Sequence, residues 1–277
     1  MRTKIEEPAR RSKLLQALNI IFIFLTIGLN GLANALPLNG QTTGDISDRF
    51  EVFFVPAGYV FSIWGLIYLA LIGFVVFQAL PSQQTNRRLA NLGSWVIATC
   101  LYNMGWLLAW HYEWFGLSVL MMLSLLGSLI VSYVRVYGSG RPDSLVEQLA
   151  IGFPFSLYLG WISVATVANI SSYLDFLGWQ GQPLTPQLWT VLMLLVGVLL
   201  TTVFVIRFSD NVYAAVFVWA YIGIFIRFQD VPIVATGSLF ATILVIILAV
   251  SAAWRRFKLA SQGDSSPVSN SMLQSGD

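Results

Sequence analysis

Apolar residues run along the chain in eight stretches, near 14–36, 60–80, 92–112, 115–137, 150–176, 188–208, 211–228 and 231–254, separated by short polar connections. Each is about 20 residues long, and at a rise of about 1.5 Å per residue that length crosses about 30 Å of hydrocarbon. Inside lipid every backbone N–H and C=O must be satisfied within the segment or around a closed barrel, and barrel strands would be about half as long and alternating. The pattern therefore predicts an all-α fold, a polytopic transmembrane helical bundle of about eight spans.

Composition agrees with this pattern. Apolar residues make up 57% of the 277 and charged residues only 10%, against about 25% charged in a typical soluble domain. The distribution of charge matters more than its sum of +2. Assigned to alternate connections starting from the N-terminus, thirteen of the fifteen Lys and Arg residues fall on one side, and only Arg49 and Arg227 on the other. Under the positive-inside rule both termini are expected in the cytoplasm, with the chain in the plasma (inner) membrane. Residues 1–13 then form a cytoplasmic N-terminal segment, and 259–277, polar and without apolar periodicity, a disordered cytoplasmic tail. A cleavable signal peptide ending at Ala33-Asn34-Ala35 is the competing reading of the N-terminus. The first apolar stretch, about 23 residues, exceeds the 7–15 expected of such a segment, which favours a retained helix.

Within the spans, residues three or four apart share a helix face. Trp161, Ala165 and Asn169 form one such face, Trp64 with Tyr68 a second, and Asn103 with Trp106 a third. Each of the last two, like the first, joins aromatic area to a hydrogen-bonding group. Two readings stay open on residues alone. Such faces suit a pocket that stacks a flat, mostly apolar ligand; small residues and Asn also serve as packing positions between membrane helices. Trp95, Trp110, Trp114, Trp179, Trp189 and Trp254 fall at span ends, where an interfacial belt accounts for them. The longest connection, Leu38 to Tyr59, carries Thr42, Thr43, Gly44, Asp45, Asp48, Arg49 and Glu51; it either simply links two helices or, as long ordered loops often do, carries a lid or binding element.

Three strings resemble the tryptophan-rich sensory protein family (TspO/MBR, translocator protein). Pro56-Ala57-Gly58-Tyr59-Val60-Phe61-Ser62-Ile63-Trp64-Gly65-Leu66-Ile67-Tyr68 is similar to its first-loop and second-helix motif, Asn103-Met104-Gly105-Trp106 to its Asn-x-x-Trp helix, and Tyr158 to Asn169 to its fifth helix. The likeness covers about 14–180 as a five-helix domain and leaves 181–258 as three additional helices. There are departures: Leu157 stands where the family's fifth helix has proline, with Pro154 three residues earlier, and Pro56 alone remains of the first-loop Trp-x-Pro-Pro. Tyr173-Leu174-Asp175 has no neighbouring Lys or Arg, so the sterol motif of animal members is absent there, and the Val131 to Arg135 string that fits it elsewhere is weak.

The resemblance implies a membrane protein that binds a porphyrin-like, tetrapyrrole or sterol-class ligand and has a regulatory or signalling output. Phe61, Trp64, Tyr68, Asn103, Trp106, Trp161 and Asn169 are the expected lining, with Ala165 providing clearance. It also implies the lipid bilayer as partner and a possible homodimer. No cofactor is required, and no nucleic-acid partner is expected from so small a net charge. The alternative is a small-molecule transporter in which the three extra helices complete a path, which calls for polar groups at mid-depth beyond Asn103 and Asn169.

Catalysis is not expected. The sequence carries no GxSxG, HExxH, P-loop or Rossmann fingerprint, and Cys100 stands alone, so neither a nucleophile–base pair nor a metal site is predicted. The one histidine, His111, near Glu113 at a span end, reads as a solvated interfacial imidazole. Asn169-Ile170-Ser171 fits the glycosylation sequon but lies within a predicted helix. An Ile-Arg-Phe-x-Asp string occurs twice, at Arg207/Asp210 and Arg227/Asp230, and predicts two capped helix hairpins.

Overall fold

A computed structural model describes residues 11–263 except Ser139, Asp143 and Gln180; the first ten residues and the tail beyond 263 lie outside the described residues. Among the described residues the fold is helical, without strands. The long helices are α1 (Lys13–Ala35), α3 (Ile63–Ala79), α5 (Trp95–His111), α6 (Phe115–Tyr137), α8 (Phe153–Phe176), α9 (Pro186–Phe208), α10 (Asn211–Arg227) and α11 (Pro232–Gly263), with α2 (Thr43–Ser47), α4 (Arg87–Leu92) and α7 (Leu145–Glu147) in the connections. Among the described residues six segments are long and apolar enough to cross a membrane. The remaining two predicted spans are α5 and α10, of 17 residues each, at the short end of the range for a spanning helix, about 17–25 residues. The chain is an integral membrane helical bundle.

Local chemistry sets the helix ends. Ser12, Thr42, Asn86, Thr185 and Asp210 each accept a hydrogen bond from a backbone N–H of the turn they open, as short polar side chains do at helix starts. Asp210 thus caps α10 as the first Ile-Arg-Phe-x-Asp string predicts. The second string departs from that prediction: α11 begins at Pro232, Asp230 is exposed, and the Ala235 N–H bonds to the Val231 carbonyl. A π-helical turn, Gln148–Gly152, joins α7 to α8 in one continuous helical run, and Pro154, which has no N–H to donate back into it, stands just after that turn. At its other end α11 continues to Gly263, past the expected span end at 254.

The eighth helix is the axis of the bundle, buried along most of its length from Pro154 to Asn169. It packs against α6, α3 and α10, while α1 lies on α3 and α5, and α5 on α6. The three C-terminal helices pack on one another, and α10 ties them to α8. At that seam the Tyr213 hydroxyl donates to Ser163 Oγ (3.0 Å), and the buried Asp210 carboxylate accepts from Tyr133 Oη (2.9 Å) and Ser156 Oγ (2.6 Å). Between α9 and α10 a side chain at Gly197 would collide with Tyr221 and Phe217, so its absence is what allows their close approach.

Arg88, Arg135 and Arg256 gather at one end. Buried Arg88 closes the C-terminal end of α6 by donating to the carbonyls of Val136 (2.6 Å), Gly140 (2.8 Å) and Arg141 (2.7 Å). Nearby Arg135 donates to the Asn91 carbonyl, and Arg256 to that of Ser209. The opposite end carries the long 38–62 connection.

Candidate functional site

The 38–62 segment folds over the bundle as a lid. Helix α2 is held by a capping box in which the Thr42 hydroxyl accepts from the Asp45 N–H and the Asp45 carboxylate accepts from the Thr42 N–H. These bonds hold the Asp45 carboxyl below the usual carboxylate range. Gln41 and Arg49 both donate to Glu113 and lower its carboxyl in the same way.

The lid is fastened by long-range contacts to α5 and α10. The Trp110 indole donates to the Thr43 carbonyl (3.3 Å), and Trp219 to that of Val60 (3.0 Å). The Ala57 N–H bonds to the Gly223 carbonyl (3.1 Å), and Arg227 pairs with Asp48 (2.7 Å) and reaches the Pro56 carbonyl (3.4 Å). Arg227 is therefore a lid contact rather than part of a capped hairpin. Gly223 sits where the lid comes closest: a side chain there would overlap Val60 and come within 2.9 Å of Pro56 Cβ. The ion pairs themselves are partly solvated, with Asp48 and Arg227 side chains 62% and 24% exposed, and pairs of this kind contribute only about 0–1 kcal/mol. Opening the lid is accordingly cheap in electrostatic terms.

Beneath the lid lies an aromatic cavity. Phe61, Trp64, Trp106 and Trp161 line it with Ala165 and Asn169, which brings six of the eight expected residues to one place. Trp64 is the hub: it stacks on Tyr68 (5.6 Å between ring centroids) and Trp106 (6.5 Å), and meets Tyr158 (5.8 Å) and Trp161 (6.3 Å) edge to face. Phe61, in a 3-10 turn (Gly58–Ser62) ahead of α3, meets Trp161 edge to face at 5.7 Å. The cavity itself is small, about 50 Å³. An adjoining space of about 310 Å³ shares the walls Phe61, Trp64 and Trp106 and adds Tyr68, Asn30 and Asn34. The indole N–H groups of Trp106 and Trp161 are buried there with no hydrogen-bond partner.

Asn103 departs from expectation. Fully buried behind the aromatic wall, it accepts from Asn30 Nδ2 (2.8 Å) and donates to Tyr158 Oη (2.8 Å), joining α1, α5 and α8. Its amide faces neighbouring helices because α1 offers a polar stripe, Asn19, Thr26 and Asn30, on its buried side. Asn169 does line the cavity, and its Nδ2 donates to Ser118 Oγ (3.1 Å).

Two span-end residues also differ from their predicted surroundings. His111 is 0% exposed, with Nδ1 within 2.8 Å of the Leu107 carbonyl, because the lid covers it: Asn39 donates to the His111 carbonyl. Trp110, expected in an interfacial belt, is buried and lines the cavity. The lid residues Thr43, Ser47, Val55 and Pro56 are also wall, which no local pattern along the chain predicts. Pro56 lay within a recognised string, but contacts across more than a hundred residues leave no local periodic signal. Among the described residues no cluster of three or more His, Cys, Asp or Glu could hold a metal ion.

No curated protein and no solved structure matches the chain. A family model described as TSPO-like protein matches residues 16–252, taking in the three C-terminal helices as well as the first five. The chain belongs to the TSPO-like protein family.

Proposed function

We propose that this protein binds a flat hydrophobic molecule of the porphyrin, tetrapyrrole or sterol class in the aromatic cavity beneath the lid, without catalysis, and that occupancy is read out as a regulatory signal. The observation that carries the reading is the convergence of Phe61, Trp64, Trp106 and Trp161 with the small Ala165 on one cavity. Stacked and edge-to-face rings offer the area a flat ligand needs. The unpartnered indole N–H groups of Trp106 and Trp161 are donors for the few polar atoms of such a ligand, and an unmet buried donor costs about 1–3 kcal/mol.

Cavities that enclose ligands of this size measure about 300–1,000 Å³, so the closed space of about 50 Å³ must merge with its neighbour of about 310 Å³. Lifting α2 and the 55–61 segment is the movement that would merge them. Because α10 fastens the lid through Trp219, Gly223 and Arg227, ligand entry is coupled to the C-terminal helices, which supports a regulatory output. The gathering of Arg88, Arg135 and Arg256 at the end opposite the lid supports an orientation with both termini cytoplasmic. In this reading a homodimer is compatible with binding and is not required for it.

Tryptophan-fluorescence quenching by protoporphyrin, on purified protein in detergent, tests the proposal. Saturable quenching, weakened by Trp161→Phe and blocked by Ala165→Phe while both variants stay folded with the helical circular-dichroism signal of the wild type, is the expected result. Absence of saturation, or saturation indifferent to both changes, overturns it.

A further inference from the structure

A second cavity, of about 290 Å³, lies at the lid end between residues 51–54, the last turns of α8 and the start of α9. It is separate from the aromatic cavity and is built partly by the C-terminal extension. Its lining includes the carboxylates of Glu51 and Asp175 and no Lys or Arg. Trp179 and Trp189, edge to face with ring centroids 5.1 Å apart, form an aromatic corner. Deeper in, Ser171 is only 5% exposed, and its hydroxyl has no hydrogen-bond partner. The indole N–H of Trp189 is likewise buried and unpartnered.

The charged side chains around this space and the nearer helix end favour a positive guest. Ser171 and Asp175 belong to the last turns of α8, where the helix dipole is negative. The opposing positive end, at the start of α9, is muted: Pro186 has no N–H, and the Leu188 N–H is taken by the Thr185 hydroxyl. An inorganic dication calls for six or more oxygen ligands for calcium, or near-octahedral geometry for magnesium, and the described residues contain no cluster of three acidic or other metal-ligating side chains. Tryptophan faces beside carboxylates instead suit an ammonium group, through cation–π attraction and charge. The space holds about ten non-hydrogen atoms if each takes about the 30 Å³ of a liquid water.

We propose that this cavity binds a small organic cation carrying a primary or quaternary ammonium group, with Asp175 and Glu51 as counter-charges, Trp179 and Trp189 as the aromatic wall, and Ser171 Oγ as an acceptor for the guest's polar hydrogen. The ammonium can belong to a free solute or to a lipid headgroup. The site shares no lining residue with the aromatic cavity, so the two proposals fail independently.

The test is calorimetric titration of the full chain, in an uncharged maltoside detergent, with choline and with its neutral carbon isostere 3,3-dimethylbutan-1-ol. Ethylammonium is titrated as the primary-amine probe. Saturable binding of either cation, with the isostere at least about ten-fold weaker, is expected. Asp175→Asn should weaken the cation about ten-fold, and Ser171→Ala should weaken it to a smaller extent, with thermal midpoint and protoporphyrin quenching unchanged. Failure of both cations to saturate, or equal binding of choline and the isostere, overturns the proposal; neither result depends on a variant that folds. Repeating the choline titration in phosphatidylglycerol nanodiscs with and without phosphatidylcholine distinguishes the sources. Apparent affinity lowered by phosphatidylcholine assigns the site to headgroups, and unchanged affinity assigns it to a free solute.

Discussion

Replacing Asn103 with Leu separates a strut from a wall. The wild-type amide accepts from Asn30 and donates to Tyr158, each at 2.8 Å, in a fully buried position between α1, α5 and α8. Hydrogen bonds between membrane helices contribute about 0.6 kcal/mol each on average, so the pair contributes about 1 kcal/mol. Leucine also leaves the Tyr158 hydroxyl without its donor, and an unmet buried polar group costs about 1–3 kcal/mol. Asn30 is spared that penalty because its Nδ2 also donates to the Thr26 carbonyl at 2.9 Å. The expected loss is about 2–4 kcal/mol, a shift of roughly thirty-fold or more in the unfolding equilibrium. Reversible unfolding in mixed micelles with increasing dodecyl sulfate, followed by tryptophan fluorescence, measures it. Protoporphyrin affinity of the folded fraction should change by less than about two-fold, a difference well under 1.4 kcal/mol. Stability within about 0.5 kcal/mol of wild type, or lost affinity at unchanged stability, would refute the strut and return Asn103 to the cavity wall.

Gly223→Val should destabilise the protein by about 1–3 kcal/mol, as overpacking does, because the new side chain overlaps Val60 and Pro56; a thermal midpoint equal to wild type would contradict the close approach. Trp219→Phe removes the bond to the Val60 carbonyl and should raise amide exchange across 55–62 about five-fold, for a bond contributing about 1 kcal/mol; exchange mass spectrometry reads this out. The lid should also loosen in acid. The Asp45 and Glu113 carboxyls are depressed in the folded state by their bonds to Thr42 and to Gln41 and Arg49. Their contribution is therefore present above the ordinary carboxylate range and lost as pH falls through the lowered folded values. Exchange of residues 42–48, corrected for intrinsic rates, should be protected at about pH 6 and lose protection towards about pH 3; constant protection would show that the cap does not hold the lid.

The membrane fold was legible in the sequence because hydropathy over twenty residues is a strong signal. The predicted span at 115–137 coincides with α6, and the predicted 211–228 ends one residue beyond α10. The aromatic faces were legible too, since Trp161, Ala165 and Asn169 point one way from any regular helix, and they do line one cavity. What resisted reading was everything set by partners distant in sequence. Asn103 shares a face with Trp106, yet its amide turns to Asn30, 73 positions earlier, because two amides satisfy each other better than either satisfies an apolar cavity. Trp219 and Val60 are 159 positions apart, and no local pattern in α10 marks it as the lid's anchor. His111 illustrates the same limit: a histidine at a span end is normally wet, but here a loop from elsewhere in the chain covers it.

Photo-oxidation mapping shows whether a flat ligand lies among Trp64, Trp106 and Trp161. Protoporphyrin at stoichiometric ratio is illuminated in the protein–detergent complex, and oxidised tryptophans are located by peptide mass spectrometry, with an unilluminated control. Oxidation should concentrate on Trp64, Trp106 and Trp161, although Trp106 and Trp161 are buried, and spare the exposed Trp114 and Trp254. Oxidation confined to Trp114 and Trp254, with the cavity tryptophans intact, would contradict that placement.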